Sequence, residues 1–195
     1  MKYIHLLENT GIKQTFYSVG GETDPRKWNG AVGNSSTKYC SPSGCTWNVT
    51  INHNKSGWRL PYEAEWEYLA RGKKILSTDT QFVYSGTSDV NQVWCAGNSS
   101  TNGKSHEVIS SIANAAGMYD MSGNVWEWTN DWYEALLSGV GLTGPSSSSE
   151  NKKSCRGGGF PNNSYCSEIG SGQGRSRSLR TWRYHDCGFR IVRNK

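Results

Sequence analysis

Six cysteines, at positions 40, 45, 95, 155, 166 and 187, are the residues of this chain best suited to redox or metal chemistry. None belongs to a Cys-x-x-Cys pair, the spacing that lets two thiolates from one loop grip zinc, so a structural zinc site is not expected. Cys40 and Cys45 are near enough to close a short loop through Ser41-Pro42-Ser43-Gly44. Thiols packed as small apolar groups are the equal alternative. His185 beside Asp186 has the residue types of a catalytic set. No partnered nucleophile accompanies them, and neighbours on a strand point to opposite faces, so a surface contact is the better reading. The run Arg175-Ser176-Arg177-Ser178-Leu179-Arg180-Thr181-Trp182-Arg183 interleaves arginine with an aromatic, as a nucleic-acid patch does. The chain as a whole is only mildly basic, with a formal charge of +5 and a pI of about 8.9, so nucleic acid is not the expected partner.

The elements that must position these groups are short. At 195 residues the chain suits one domain. Its mean hydropathy is low, -0.70, yet nine Trp and ten Tyr supply an apolar payload that disordered chains lack. With 23 Gly, the expected product is a loop-rich domain with an aromatic core. No apolar run is long enough to span a membrane, and the apolar patch within Met1–Leu7, followed by Glu8, is too short for the core of a signal peptide. Asn-x-Ser/Thr triplets such as Asn48-Val49-Thr50 follow from composition and need no glycosylation.

Residues 1–57 read as short strands joined by turns. Residues 59–72 carry the marks of a complete helix. Pro61 suits the first helical position, Glu63 and Glu65 the positive end of the dipole and Arg71 the other end. Tyr62, Trp66, Leu69 and Ala70 form one apolar face, Glu63, Glu65 and Glu67 a solvated one, and Gly72 ends the helix. Residues 73–113 show no clear period. A Ser122-Gly123-Asn124 turn leads into a strand at Val125–Trp128, whose Trp126 and Trp128, with Trp132, read as core rather than as a carbohydrate platform. Residues 138–153 read as a loop, and Gly188–Val192 as a closing strand.

Four blocks then carry a resemblance: Gly57-Trp58-Arg59-Leu60-Pro61 with Glu63-Ala64-Glu65-Trp66-Glu67; Gly117-Met118-Tyr119-Asp120-Met121-Ser122-Gly123-Asn124-Val125-Trp126-Glu127-Trp128; Arg156-Gly157-Gly158-Gly159; and Gly188-Phe189-Arg190. In order and spacing, over residues 55–193, they resemble the successive motifs of the formylglycine-generating-enzyme (sulfatase-modifying factor) family. The resemblance implies a C-type-lectin-like fold: one α+β domain over 1–195, loop-rich, with two helices and short antiparallel sheets. Catalytic members hold copper with a cysteine pair shortly after the Arg-Gly-Gly motif and so activate oxygen, which needs two soft thiolates on one metal. Here Gly159-Phe160-Pro161-Asn162-Asn163-Ser164-Tyr165-Cys166 supplies Cys166 alone, which removes the oxidase chemistry unless Cys155 or Cys187 substitutes in space. The resemblance thus implies a protein that is no enzyme and carries no cofactor. Family members bind calcium nearby, and Asp120, Asn124 and Glu127 offer suitable oxygens, although their spacing defines no coordination shell.

The C-terminal segment, 156–193, further resembles the variable region of proteins diversified by retroelements. In such proteins randomised adenines turn AAC codons into many residue types, but never Lys, Met, Glu, Gln or Trp. Between Phe160 and Cys187 there is no Lys and no Met, and only Glu168, Gln173 and Trp182 are unreachable, which assigns those three to framework. This resemblance implies a receptor- or adhesin-like binder at a bacterial cell surface, with a protein or another surface ligand as partner. Its contact residues would be Phe160, Asn162, Asn163, Tyr165, Trp182, Tyr184, His185 and Asp186, with Arg175 and Arg177 adding charge recognition. The alternative is a copper- and oxygen-dependent oxidase of the formylglycine-generating type.

Overall fold

The computed structural model describes residues 17–19, 49–52, 54–55, 57–73, 82–94, 103–133, 152–160, 185–193 and the backbone of 175–179. The chain divides into two compact units, Met1–Leu60 with Ile191–Lys195, and Pro61–Arg190.

In the first unit β1 (Tyr17–Val19) pairs antiparallel with β2 (Val49–Ile51), Tyr17 opposite Ile51. The last strand of the chain, β8 (Val192–Arg193), pairs antiparallel with β3 (Trp58–Arg59). Tyr17 is buried, and its hydroxyl oxygen accepts the Leu60 N–H at 3.1 Å.

The second unit holds helix α1 (Glu63–Ala70), a 3-10 turn at Val90–Gln92 and a four-stranded sheet. Among the described residues α1 is the one α-helix. It starts later than its sequence suggests: Tyr62 is the cap, and Pro61 lies outside, its carbonyl accepting the Asn130 N–H. Carboxylates meet the N–H groups at this end. Glu65 Oε2 accepts the Tyr62 N–H at 2.8 Å, and Asp131 Oδ2 accepts that of Glu63 at 2.5 Å. At the other end Gly72 takes φ +69, with the Gly72 N–H on Leu69 O and the Lys73 N–H on Tyr68 O, the double bond pattern of a Schellman cap.

The sheet has the order β6-β5-β4-β7, with β4 Trp126–Trp132, β5 Lys152–Arg156, β6 Arg175–Leu179 and β7 Cys187–Phe189. β5 is antiparallel to β4 and β6 to β5, whereas β7 runs parallel to β4, so this sheet is mixed rather than purely antiparallel. The stretch 138–153 read as loop ends earlier than expected, since Lys152 and Lys153 already belong to β5; residues 138–151 lie outside the described ones.

Among the described residues of this unit, Trp66, Ala70 and Met121 are buried together as an apolar cluster, with Leu69 and Met118 packed on them. The expected apolar face of α1 is therefore real, but β4 corrects the expected aromatic core. Trp126, Trp128 and Trp132 are only half-buried, and the strand buries Glu127, Thr129, Asn130 and Asp131 instead. The alternation at the start of β4 matches expectation; the inward face is the polar one.

Candidate ligand-binding face

The polar residues of β4 are tolerated inside because charges from distant segments meet them. Glu127 accepts the Trp66 Nε1–H at 2.6 Å and takes both Arg190 Nε (2.5 Å, on Oε2) and Nη2 (2.6 Å, on Oε1), a two-pronged pair that occupies both its oxygens. Arg190 Nη2 also reaches the carbonyls of Tyr119 and Asp120. Arg156, 1% exposed, lies with its guanidinium carbon 5.0 Å from the centre of the Trp66 ring, between Glu67 (3.0 Å) and Glu63 (3.7 Å). The helix glutamates are accordingly no solvated face. Glu63 is buried, Glu65 caps the helix, and Glu67 is shared by Arg71 and Arg156. Gly157, at φ +101, lets the chain pass over Trp66, where a Cβ would sit 3.4 Å from Cζ2.

Within the second unit, residues from all four sequence blocks thus meet around Trp66, Glu127 and Arg156, and each contributes a structural part rather than an exposed reactive group. Asp131 completes the arrangement. Burial pushes its carboxyl up from 3.8 to about 6, with the charge of Glu63 adding to the rise; the Glu63 N–H bond and the Lys153 ammonium oppose it. Lys153 Nζ donates to Asn130 O at 2.7 Å and stands 4.1 Å over the Trp132 ring.

This frame finishes at one end of the sheet's strands, where several expected contact residues are placed. Arg156, the last residue of β5, lies opposite Glu127 near the start of β4, and Arg175, the first residue of β6, lies opposite Arg156. Cys187, the first residue of β7, lies opposite Trp126. Phe160 follows β5, and the turn at His185–Asp186 precedes β7, so the chain leaves and re-enters the sheet at the same end. There the Phe160 and His185 rings meet edge-to-face, centroids 5.7 Å apart. His185 is exposed and Asp186 half-buried, while Phe160 is 9% exposed, more a floor than a projecting contact. The Asp186 carbonyl accepts the Trp126 N–H at 2.8 Å, pinning the turn to β4. Arg177 lies two positions further into β6, opposite Ser154. Asn162, Asn163, Tyr165, Trp182 and Tyr184 lie outside the described residues.

The oxygens considered for calcium are engaged with protein donors. Asn124 Oδ1 accepts the His106 N–H, Asp120 accepts from Ile109 N and Ser111 Oγ, and Glu127 is held by Trp66 and Arg190. Among the described residues no three His, Cys, Asp or Glu side chains are grouped to hold a metal ion. Cys40, Cys45, Cys95 and Cys166 lie outside the described residues, whereas the thiols of Cys155 and Cys187 stand 3.9 Å apart. Copper chemistry of the formylglycine-generating type needs a thiolate pair open to substrate. Cys155 is 1% exposed, so these two thiols do not fit that role.

Sequence reasoning did not single out Glu127 and Asp131 as interior charges or pair Arg156 and Arg190 with carboxylates. The Trp126-Glu127-Trp128 alternation held a signal, since it places Glu127 on the face away from both tryptophans.

Comparison with known proteins agrees with this geometry. Residues 11–195 match the sequence profile of the sulfatase-modifying factor enzyme 1-like domain. A formylglycine-generating enzyme from Bos taurus is 31% identical over 135 residues, which cover 63% of this chain and 33% of that protein. A chaperone protein LppX from Paenibacillus barcinonensis is 36% identical over 104 residues, 45% of this chain and 36% of that one. The chain spans about a third of the length of these curated relatives. Among solved structures, Treponema denticola variable protein 1 superposes with a TM-score of 0.58 at 35% identity, covering 73% of this chain and 50% of its own. With its α+β, C-type-lectin-like fold, the chain belongs to the sulfatase-modifying factor enzyme 1-like family.

Proposed function

We propose that this chain is a non-enzymatic binding protein, receptor- or adhesin-like, whose contact face is carried by the C-terminal segment 156–193 and varied by a retroelement. One observation carries the reading. Arg156, paired with Glu63 and Glu67, and Arg190, paired with Glu127, hold the chain at both ends of the segment that carries the proposed contact residues, which supports a fixed frame around a changeable face. The likeness to a variable protein supports it. Exposed His185 over buried Phe160 has the character of an aromatic contact with a polar rim, suited to a protein ligand at a bacterial cell surface. Binding on this reading needs no metal or cofactor.

The decisive test is the encoding locus. A near-copy of codons 156–193 differing almost only at adenines, beside a reverse transcriptase gene, is the expected finding; a locus without one sinks the diversification. Once a ligand is captured, changing Tyr184, His185 and Asp186 to Ala should abolish binding while the fold survives. Intact binding would refute the face. The second reading, a copper- and oxygen-dependent oxidase, rests on relatives named formylglycine-generating enzyme. It requires tight Cu(I) binding lost in Cys166→Ser.

A further inference from the structure

We propose that Cys155 and Cys187 are a redox-modification site, closing reversibly into a disulfide that staples β5 to β7 across β4. Both are thiols, and their sulfurs lie 3.9 Å apart. β5 and β7 flank β4 on opposite sides and share no ladder with each other. Cys155 is opposite Trp128 and Cys187 opposite Trp126, so two side chains reach across the central strand to meet. A disulfide holds its sulfurs at about 2.05 Å. Strands that flank a third lie about 9–10 Å apart, wider than the roughly 4.4–6.8 Å between the Cα atoms of a disulfide, so closure draws β5 and β7 together as well as turning the two side chains.

Exposure sets the order of events. Cys187 is half-buried and Cys155 is 1% exposed, so Cys187 meets an oxidant first and Cys155 resolves. With a small-molecule disulfide such as oxidised glutathione, the Cys187 thiolate attacks one sulfur and releases one glutathione thiolate. The Cys155 thiolate then attacks the Cys187 sulfur and displaces the second. One protein S–S bond forms as the S–S bond of glutathione breaks. The two protons of the cysteine thiols end on the two released glutathiones. The staple would hold the start of β7, directly after the His185–Asp186 turn, and it stands whether or not that turn binds a ligand.

The test is to incubate the full, folded chain with oxidised glutathione without denaturant, block residual thiols with iodoacetamide, digest with trypsin and read masses unreduced. The expected product joins Ser154–Arg156 to Tyr184–Arg190, fragments that each hold a single cysteine, and it disappears with dithiothreitol. Cys187→Ser should remove it with the circular dichroism unchanged; if that variant fails to fold, the wild-type map decides alone. Cys187 recovered as a stable glutathione adduct overturns the proposal, as does either residue joined to another cysteine or both recovered alkylated.

Discussion

Replacing Asp131 with Asn should stabilise this protein at neutral pH and do little in mild acid. Asp131 is 2% exposed, and its Oδ2 accepts the Glu63 N–H at 2.5 Å, a bond that an amide oxygen can keep. Burial is the largest influence on its carboxyl and pushes it from 3.8 to about 6. A carboxyl raised on folding favours the protonated native state. Its contribution is therefore fully present below pH 3.8, and is lost as pH rises through 6. At about 1.4 kcal/mol per pKa unit, the charged form costs roughly 3 kcal/mol at pH 7.5 relative to the neutral one. An asparagine side chain mimics the neutral form at every pH. Urea unfolding of wild type and D131N at pH 4 and 7.5 should show nearly equal stability at the lower pH. At the higher pH, D131N should be the more stable by roughly 3 kcal/mol. If D131N is instead less stable at pH 7.5, the charge on Asp131 serves the helix N-terminus and Lys153 more than burial penalises it, and the reasoning is wrong.

Other consequences of the frame can be measured the same way. Glu127→Leu leaves Arg190 without its carboxylate and the Trp66 N–H without its acceptor, and should destabilise by about 3–5 kcal/mol; denaturant midpoints check this. Gly157→Ala meets the strain of φ +101, its Cβ at ordinary contact distance from Trp66, and should cost about 1–3 kcal/mol, visible as a lowered Tm. His185→Ala, at an exposed turn, should shift stability by no more than about 0.5 kcal/mol in the same assay.

Much of the local structure was legible because its causes are local. Trp66 and Ala70 fall four residues apart, one turn of helix, and Gly72 follows where only an easy positive φ closes the cap; these place α1 without any knowledge of what it packs on. The Trp-Glu-Trp alternation marks β4, and the ordered blocks mark the family.

The sequence by itself therefore determined the family, the C-type-lectin-like fold and the positions of α1 and the start of β4. Tertiary structure alone decided which faces turn inward and which charges meet. Period-two alternation defines two faces of β4 but not the buried one, since that depends on whether distant partners exist for Glu127 and Asp131. Arg156 joins Glu67 across 89 residues and Arg190 joins Glu127 across 63, while Cys155 meets Cys187 across 32. Spacing along a chain governs contacts within a turn or a strand. Pairings at such separations exist only once the sheet has ordered its strands, and so only the folded molecule reveals that the motif residues form its charged interior.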